Sequence, residues 1–415
     1  MTDEVYEEVR DFYDRYPYPR PVENLDSYRA QWQDPHRRRA DFHLYWPSQS
    51  FRDDFSILIA GCGTSQAAKH ALRWPSAKIT AIDLSATSVR HTEELKRKYN
   101  LANLHVQQLS IDRVHELNST FDQIVSTGVL HHLRDPDAGL RALRAVLNPE
   151  GAMHLMLYAP YGRAGIYMLQ DFAHRLNIRA TDDGIRDLIA ALRLLPPGHP
   201  LESLLRQAPD FRHEAALADA LLHPQDRAYS VPQLFDFLHS AGLTFARWIK
   251  QAPYSPHCGV LSQIPLSSRL AQLPAADQYA AAELFRGTML RHSFIAQRND
   301  AEIHPISFAG TIWPTYIPIR TPETIVVEAK DRLPPNAAAV LINQSHTYTD
   351  LFLPITAPQK LLFDGIDGTR TIAEIAERTL SSPPDQEHLE TARSLFEKLW
   401  WHDQAVFDAS NQSQN

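Results

Sequence analysis

Ile57-Leu58-Ile59-Ala60-Gly61-Cys62-Gly63-Thr64-Ser65 is the stretch on which the fold turns. Its four apolar residues are too few for a helix and read as a buried strand. The Gly-x-Gly that follows lets the chain turn sharply and lets a ligand approach bare backbone. A helical stretch over 66–74 comes next, then a second strand over 78–82 that ends at Asp83. A charged amphipathic helix spans 86–99, and further strands are expected over 104–108, 121–126 and 153–158. Such alternation predicts a parallel sheet with helices on both faces and a ligand at the carboxyl ends of its strands.

The ligand is constrained by what the turn lacks. A pyrophosphate loop would want a third glycine at position 66 or a Gly-Lys-Ser/Thr run, but position 66 is Gln and no such run occurs. Asp83 stands about twenty residues beyond the glycines, where a carboxylate accepts both hydroxyls of a ribose. A nucleoside without a pyrophosphate fits, and S-adenosyl-L-methionine is one.

Thr127-Gly128-Val129-Leu130-His131-His132-Leu133 follows the fourth strand. Together, AGCGTS, AIDLS and GVLHHL over about residues 55–158 resemble the class I S-adenosylmethionine-dependent methyltransferases. The resemblance implies an α/β fold with a Rossmann-like seven-stranded methyltransferase sheet. The strandless stretch over 160–225 adds a helical insertion, and the helix, turn, helix and short strand of the tail add a small winged-helix-like C-terminal α/β domain. The resemblance also implies that Gly61, Cys62 and Gly63 line the methionine part of the cofactor and that Asp83 holds the ribose. Leu84 would lie beside the adenine, and Ser110 and Ile111 near its amine, where many members carry an acid. Gly128 and Leu130 would shape the same pocket. His131 and His132 are neighbours whose side chains point differently, a poor metal pair, and no metal is expected.

A narrower resemblance lies outside the sheet. FYDRYPYPR is similar to the Tyr-x-x-x-Pro-Tyr-Pro arm of a bacterial methyltransferase group, some of whose members are fused to tetratricopeptide repeats. Tyr158 and Arg163 match that group's segment after the fifth strand, and His223 and Asp226 match a later His-x-x-acid segment. The insertion over 160–228 is too long for a simple connection. It is expected to roof a polar acceptor pocket lined by Tyr158, Arg163 and Asp226, with Tyr13, Tyr16 and Tyr18 closing it from the arm. An amine or alcohol acceptor needs a base. His223 is the first candidate and Tyr161 the second. Arg163 suggests an acceptor with an anionic group.

With 415 residues, two or three domains are expected. The boundaries read as an aromatic arm over 1–50, a methyltransferase domain over 51–265, a helical linker over 266–335 and a winged-helix-like domain over 336–410. The tail resembles PqqD-like peptide-binding modules through Asp367-Gly368-Thr369-Arg370-Thr371-Ile372. The formal charge of −8 counts against a nucleic-acid partner, and the run His36-Arg37-Arg38-Arg39 reads as a solvated helix face. Two cysteines cannot build a disulfide framework. Without a signal-peptide pattern or an apolar run long enough for a membrane helix, a cytoplasmic protein is expected. A small-molecule, peptide or protein acceptor is the main reading, and a homodimer is one option for the tail. The rivals are an RNA methyltransferase and a non-catalytic cofactor-binding scaffold acting through its C-terminal domain.

Overall fold

A computed structural model describes residues 4–17, 19–207, 213–302, 304–329, 333–380 and 386–411. The chain forms two compact units, one from 1–30, 53–245 and 283–301, the other from 31–52, 246–282 and 302–415.

The main sheet contains β1 (Ser56–Ala60), β2 (Lys78–Asp83), β3 (Leu104–Gln108), β4 (Phe121–Thr127), β5 (Leu147–Tyr158), β6 (Leu243–Trp248) and β7 (Arg291–Arg298). Their order is β3-β2-β1-β4-β5-β7-β6. The pairs from β3 to β5 are parallel, and β7 runs antiparallel to β5. Residues 57–60 are fully buried, as the unbroken apolar run of a strand covered on both faces requires. The strand order reverses between β1 and β4, so their carboxyl ends open the crevice where ligands of such sheets sit.

Between β5 and β6 the insertion folds into helices Ala164–Arg175, Asp182–Leu192, Pro200–Gln207 and Glu214–Leu222. Ile166, Leu188, Leu201, Leu217 and Leu221 give it a core of its own. The arm helix Glu4–Arg15 packs Phe12 and Tyr16 against Ile185 and Ala218 of the insertion.

Three sequence expectations are corrected. Residues 266–335 are not a helical linker: the helix Ala275–Arg286 stops at Gly287, whose φ is +62°, and 291–298 form the strand between β5 and β6. Phe294, Ile295 and Ala296 are buried, and a strand buried this way lacks the alternation that separates it from a helix. The methyltransferase sheet therefore extends past 265. The arm over 1–50 also divides, because 31–52 belong to the second unit. There the helix Pro35–Tyr45 packs Ala40 on Ile319 and Val406. Its basic run is not a solvated face. Arg37 pairs with Glu323 at 2.9 Å, and Arg39 pairs with Asp408 at 2.9 Å and donates to the Gly368 carbonyl.

The second unit joins β8 (Ile317–Arg320) to β12 (Ala405–Asp408), and β9 (Thr324–Val327) through β10 (Ala339–Asn343) to β11 (Phe352–Ile355). The expected helix, helix and strand occur as Ile372–Thr379, Gln386–Trp401 and β12, around a core that includes Phe363, Phe396 and Phe407.

Gly61 fixes how closely the first two ligand loops approach. A Cβ there would lie 2.3 Å from Val129 Cγ2, on a backbone with φ +80°. Gly61→Ala is expected to cost about 1–3 kcal/mol in urea unfolding. Adding Val129→Ala should recover the steric part and leave the backbone part. A Gly61→Ala protein as stable as the parent would contradict the close approach.

Candidate active site

The cofactor end is built from the strand ends. Gly61 and Gly63 hold positive φ, and the Ile82 carbonyl accepts from the Gly61 and Cys62 amides at 2.9 and 3.0 Å. The half-buried Asp83 carboxylate accepts from the Gly63 amide at 2.8 Å and from the Ser85 amide at 2.9 Å, one on each oxygen. Each oxygen keeps a lone pair, so the group still fits two ribose hydroxyls. Burial raises its pKa, and the backbone hydrogen bonds oppose that rise. Cys62 points its buried thiol at Thr92, 3.8 Å away, so it offers a ligand backbone only. The Leu130 side chain is fully buried. Gly128, with φ +79°, turns the chain at the β4 end, where a Cβ would lie 3.4 Å from Met156 Cε. Ser110 and Leu84 are half-buried at the β3 and β2 ends, while the Ile111 side chain is in the core.

The arm reaches this end directly. Asp14 accepts from the Ser85 hydroxyl at 2.5 Å and the Thr87 amide at 3.0 Å, and so caps the helix Ala86–Tyr99 together with Ser85. Burial works against the Asp14 carboxylate, but these hydrogen bonds hold its pKa below the ordinary value. Thr64 donates to the Pro19 carbonyl at 2.8 Å.

Tyr13, the neighbour of Asp14, enters a second group of buried polar side chains. Its hydroxyl donates to Asp219 at 3.0 Å, and the Tyr158 hydroxyl donates to the other oxygen at 3.4 Å. The Tyr13 ring lies 5.4 Å from that of His223, and the His223 and His132 rings are 3.9 Å apart. His131 lies 4.3 Å from His132 and 4.0 Å from Tyr158. The Arg163 guanidinium sits 3.5 Å over the Tyr158 ring and pairs with Asp226 at 3.2 Å. Residues 227–229 are laid on this group by backbone bonds from Arg227 to the His131 carbonyl and from Tyr229 to the Tyr158 carbonyl.

One peptide group sets the chemistry of two rings. The Gln225 carbonyl accepts from His132 Nδ1 at 2.7 Å, so a neutral His132 carries its lone pair on Nε2. The Gln225 amide donates to His223 Nδ1 at 3.0 Å, so a neutral His223 carries its proton on Nε2. Both Nε2 atoms are buried without a hydrogen-bond partner, as are both ring nitrogens of His131 and Oδ1 of Asp226. Burial, helped by neighbouring His132, pushes the pKa values of His131 and His223 well below the ordinary value. Burial raises those of Asp219 and, beside that carboxylate, Tyr13.

The structure thus brings Tyr158, Arg163, His223 and Asp226 together from distant sequence. It does not bring Tyr161, which is 43 % exposed. Tyr16 is buried against Phe12 and donates to the Ala180 carbonyl at 3.4 Å, so it anchors the arm instead of lining the chamber. Tyr18 lies outside the described residues. Sequence reasoning missed Asp14 and Asp219. Asp219 had a signal, a carboxylate set between the alanines and leucines that follow Glu214 in the helix.

Residues 58–153 match a family of methyltransferase domains. An uncharacterized protein of Synechococcus sp. is 32% identical over 308 residues, covering 72% of this chain and 73% of that protein. A malonyl-[acyl-carrier protein] O-methyltransferase of Acetivibrio thermocellus is 28% identical over 137 residues, 33% of this chain and 46% of that enzyme. Among solved structures, PKMT2 from Rickettsia typhi shares the fold over 94% of this chain and 77% of its own, with a TM-score of 0.64 at 15% identity. Its structure is also known in complex with AdoHcy. Fold and strand-end site define an S-adenosylmethionine-dependent methyltransferase. The chain belongs to the family of the Synechococcus protein. Among the described residues, no helix is long and apolar enough to cross a membrane.

The depressed imidazoles give a signed pH dependence. His131 and His223 bind protons readily when unfolded and poorly when folded, so acid favours the unfolded chain. Stability is expected to be greatest above pH ~6.5 and to fall as pH drops below it, by up to about 1.4 kcal/mol per unit for each such ring. Thermal melts between pH 5 and 8 check this. His131→Gln should flatten the acid limb, and an unchanged slope would contradict the burial of a neutral ring.

Proposed function

We propose that the buried chamber of Tyr13, His132, Tyr158, Asp219 and His223 is the acceptor site. The chain then methylates a heteroatom of a small-molecule, peptide or protein acceptor. The observation that carries this is the opposite pair of tautomers set by Gln225: a lone pair on His132 Nε2 and an N–H on His223 Nε2, both buried without a partner on rings 3.9 Å apart. A hydroxyl has the matching donor and acceptor, and its second lone pair stays available for the methyl. S-adenosylmethionine supplies a methyl on a sulfonium, which leaves by in-line displacement. Asp83 and the Gly61–Gly63 backbone hold its nucleoside and amino-acid parts. The arm, fixed by Asp14 and Pro19, excludes water from the path between cofactor and acceptor. Its similarity to the Tyr-Pro-Tyr-Pro arm supports grouping this chain with the arm-bearing bacterial methyltransferases.

This reading revises two roles expected from sequence. His223 donates a hydrogen bond, and His132 Nε2 takes the acceptor's proton. Arg163 is committed to Asp226 and stacked on Tyr158, so an anionic acceptor is not required. The pair instead orients Tyr158 and closes the chamber.

Methyl-labelled cofactor, incubated with separate small-molecule and peptide fractions of a cell extract, tests the proposal. His132→Gln should lower transfer about 10²–10⁴-fold while leaving cofactor affinity within about twofold. Asp83→Ala should weaken cofactor binding by about 1.5–3 kcal/mol through the lost charge-assisted hydrogen bonds. Full transfer by folded His132→Gln would remove the chamber from the mechanism. Unchanged affinity in Asp83→Ala would remove the ribose assignment.

A further inference from the structure

The buried cluster around His132 holds more unsatisfied polar atoms than one acceptor heteroatom can use. His131 is 1 % exposed, and neither of its ring nitrogens has a hydrogen-bond partner. His132 Nε2 and Asp226 Oδ1 are in the same condition. Leaving such atoms unpaired inside a protein costs about 1–3 kcal/mol each, so a group that binds them gains what they lack. One ligand atom from each of His131, His132 and Asp226 lies within 4.8 Å of the others. Around an ion with ligands at ~2.1 Å, tetrahedral donors stand about 3.4 Å apart. Side-chain rotation of about 1 Å closes that difference.

We infer that His131, His132 and Asp226 bind a divalent first-row transition ion, with Zn²⁺ and Fe²⁺ the best matches to two imidazoles and one carboxylate.

The surroundings are prepared for it. His132 Nδ1–H is held by the Gln225 carbonyl, the outer hydrogen bond that fixes a ligating imidazole. Asp226 Oδ2 is held by Arg163 at 3.2 Å and Gln170 at 2.9 Å, which leaves Oδ1 as the free donor. Arg163 opposes a cation by its charge, and its pairing with Asp226 offsets that. Asp219 adds a second carboxylate to the same chamber. His223 is excluded as a ligand, since Nδ1 accepts from Gln225 and Nε2 keeps the proton. Three protein ligands leave a coordination position open, as catalytic sites do. A bound ion would hold the acceptor heteroatom at that position. His132 is thus a base in the metal-free chamber and a ligand in the loaded one.

The inference rests on the reading of the chamber as the acceptor site, but its test stands apart from turnover. The full chain, stripped with chelator, is titrated with Co²⁺, whose visible bands report nitrogen and oxygen coordination, and its Zn²⁺ content is measured after gel filtration. About one equivalent should bind. Asp226→Asn and His131→Gln should each weaken binding more than about tenfold, whereas His304→Gln, at an exposed site, should not. Wild-type protein that retains less than about a tenth of an equivalent overturns the inference, even if the variants fold poorly. So does binding that survives both substitutions. Titration of the same samples with S-adenosylhomocysteine separates the two proposals: absent metal with intact cofactor affinity discards the ion and leaves methyl transfer standing.

Discussion

Two neighbouring side chains, Tyr13 and Asp14, tie together everything the strand ends offer. Asp14 caps the helix that follows β2, beside Asp83. Tyr13, one residue earlier, hydrogen bonds to Asp219 in the insertion. Adjacent residues near the end of a helix cannot reach far apart, so the cofactor end and the polar chamber must adjoin. Neither partner is generic. Asp14 supplies charge at a helix N-terminus, and Tyr13 supplies the shorter of the two hydroxyl hydrogen bonds that the buried Asp219 accepts.

The chamber is polar in an interior where polarity is costly. Three imidazoles, two carboxylates and a guanidinium are buried there. Arg163 pairs with Asp226, Tyr13 and Tyr158 donate to Asp219, and burial disfavours charge on His131 and His223. The Gln225 peptide gives His132 and His223 defined donor and acceptor atoms. That is a recognition surface for a polar heteroatom, which a hydrophobic pocket would not distinguish from an isostere.

Much of the fold could be read from the sequence because local chemistry and global position agree. The apolar run before Gly61 is a strand buried on both faces, and Ala86–Tyr99 is a helix between a Ser85 cap and an Asn100 in the left-handed region. Ser230 and Gln233 close their capping box. The seventh strand was not legible, because Arg291–Arg298 is buried in the sheet and follows a helix with only Gly287 to mark the change. The basic run at 36–39 was misread for a different reason: its partners Glu323, Gly368 and Asp408 are remote in sequence. The same limit applies to the site. His131 and His132 look like a poor metal pair as neighbours, and only folding brings Asp226 to them.

The central claim is that one continuous path joins the strand-end cofactor to the Tyr13–His132–His223 chamber. A structure with S-adenosylhomocysteine bound tests it most directly. The account expects the ribose hydroxyls on Asp83 and the sulfur facing the chamber, with space for one heteroatom about 3–3.5 Å from the transferred methyl position. Asp14 should still cap at Thr87. A sulfur turned away from the histidines, or walled off from them by Leu130, would contradict it.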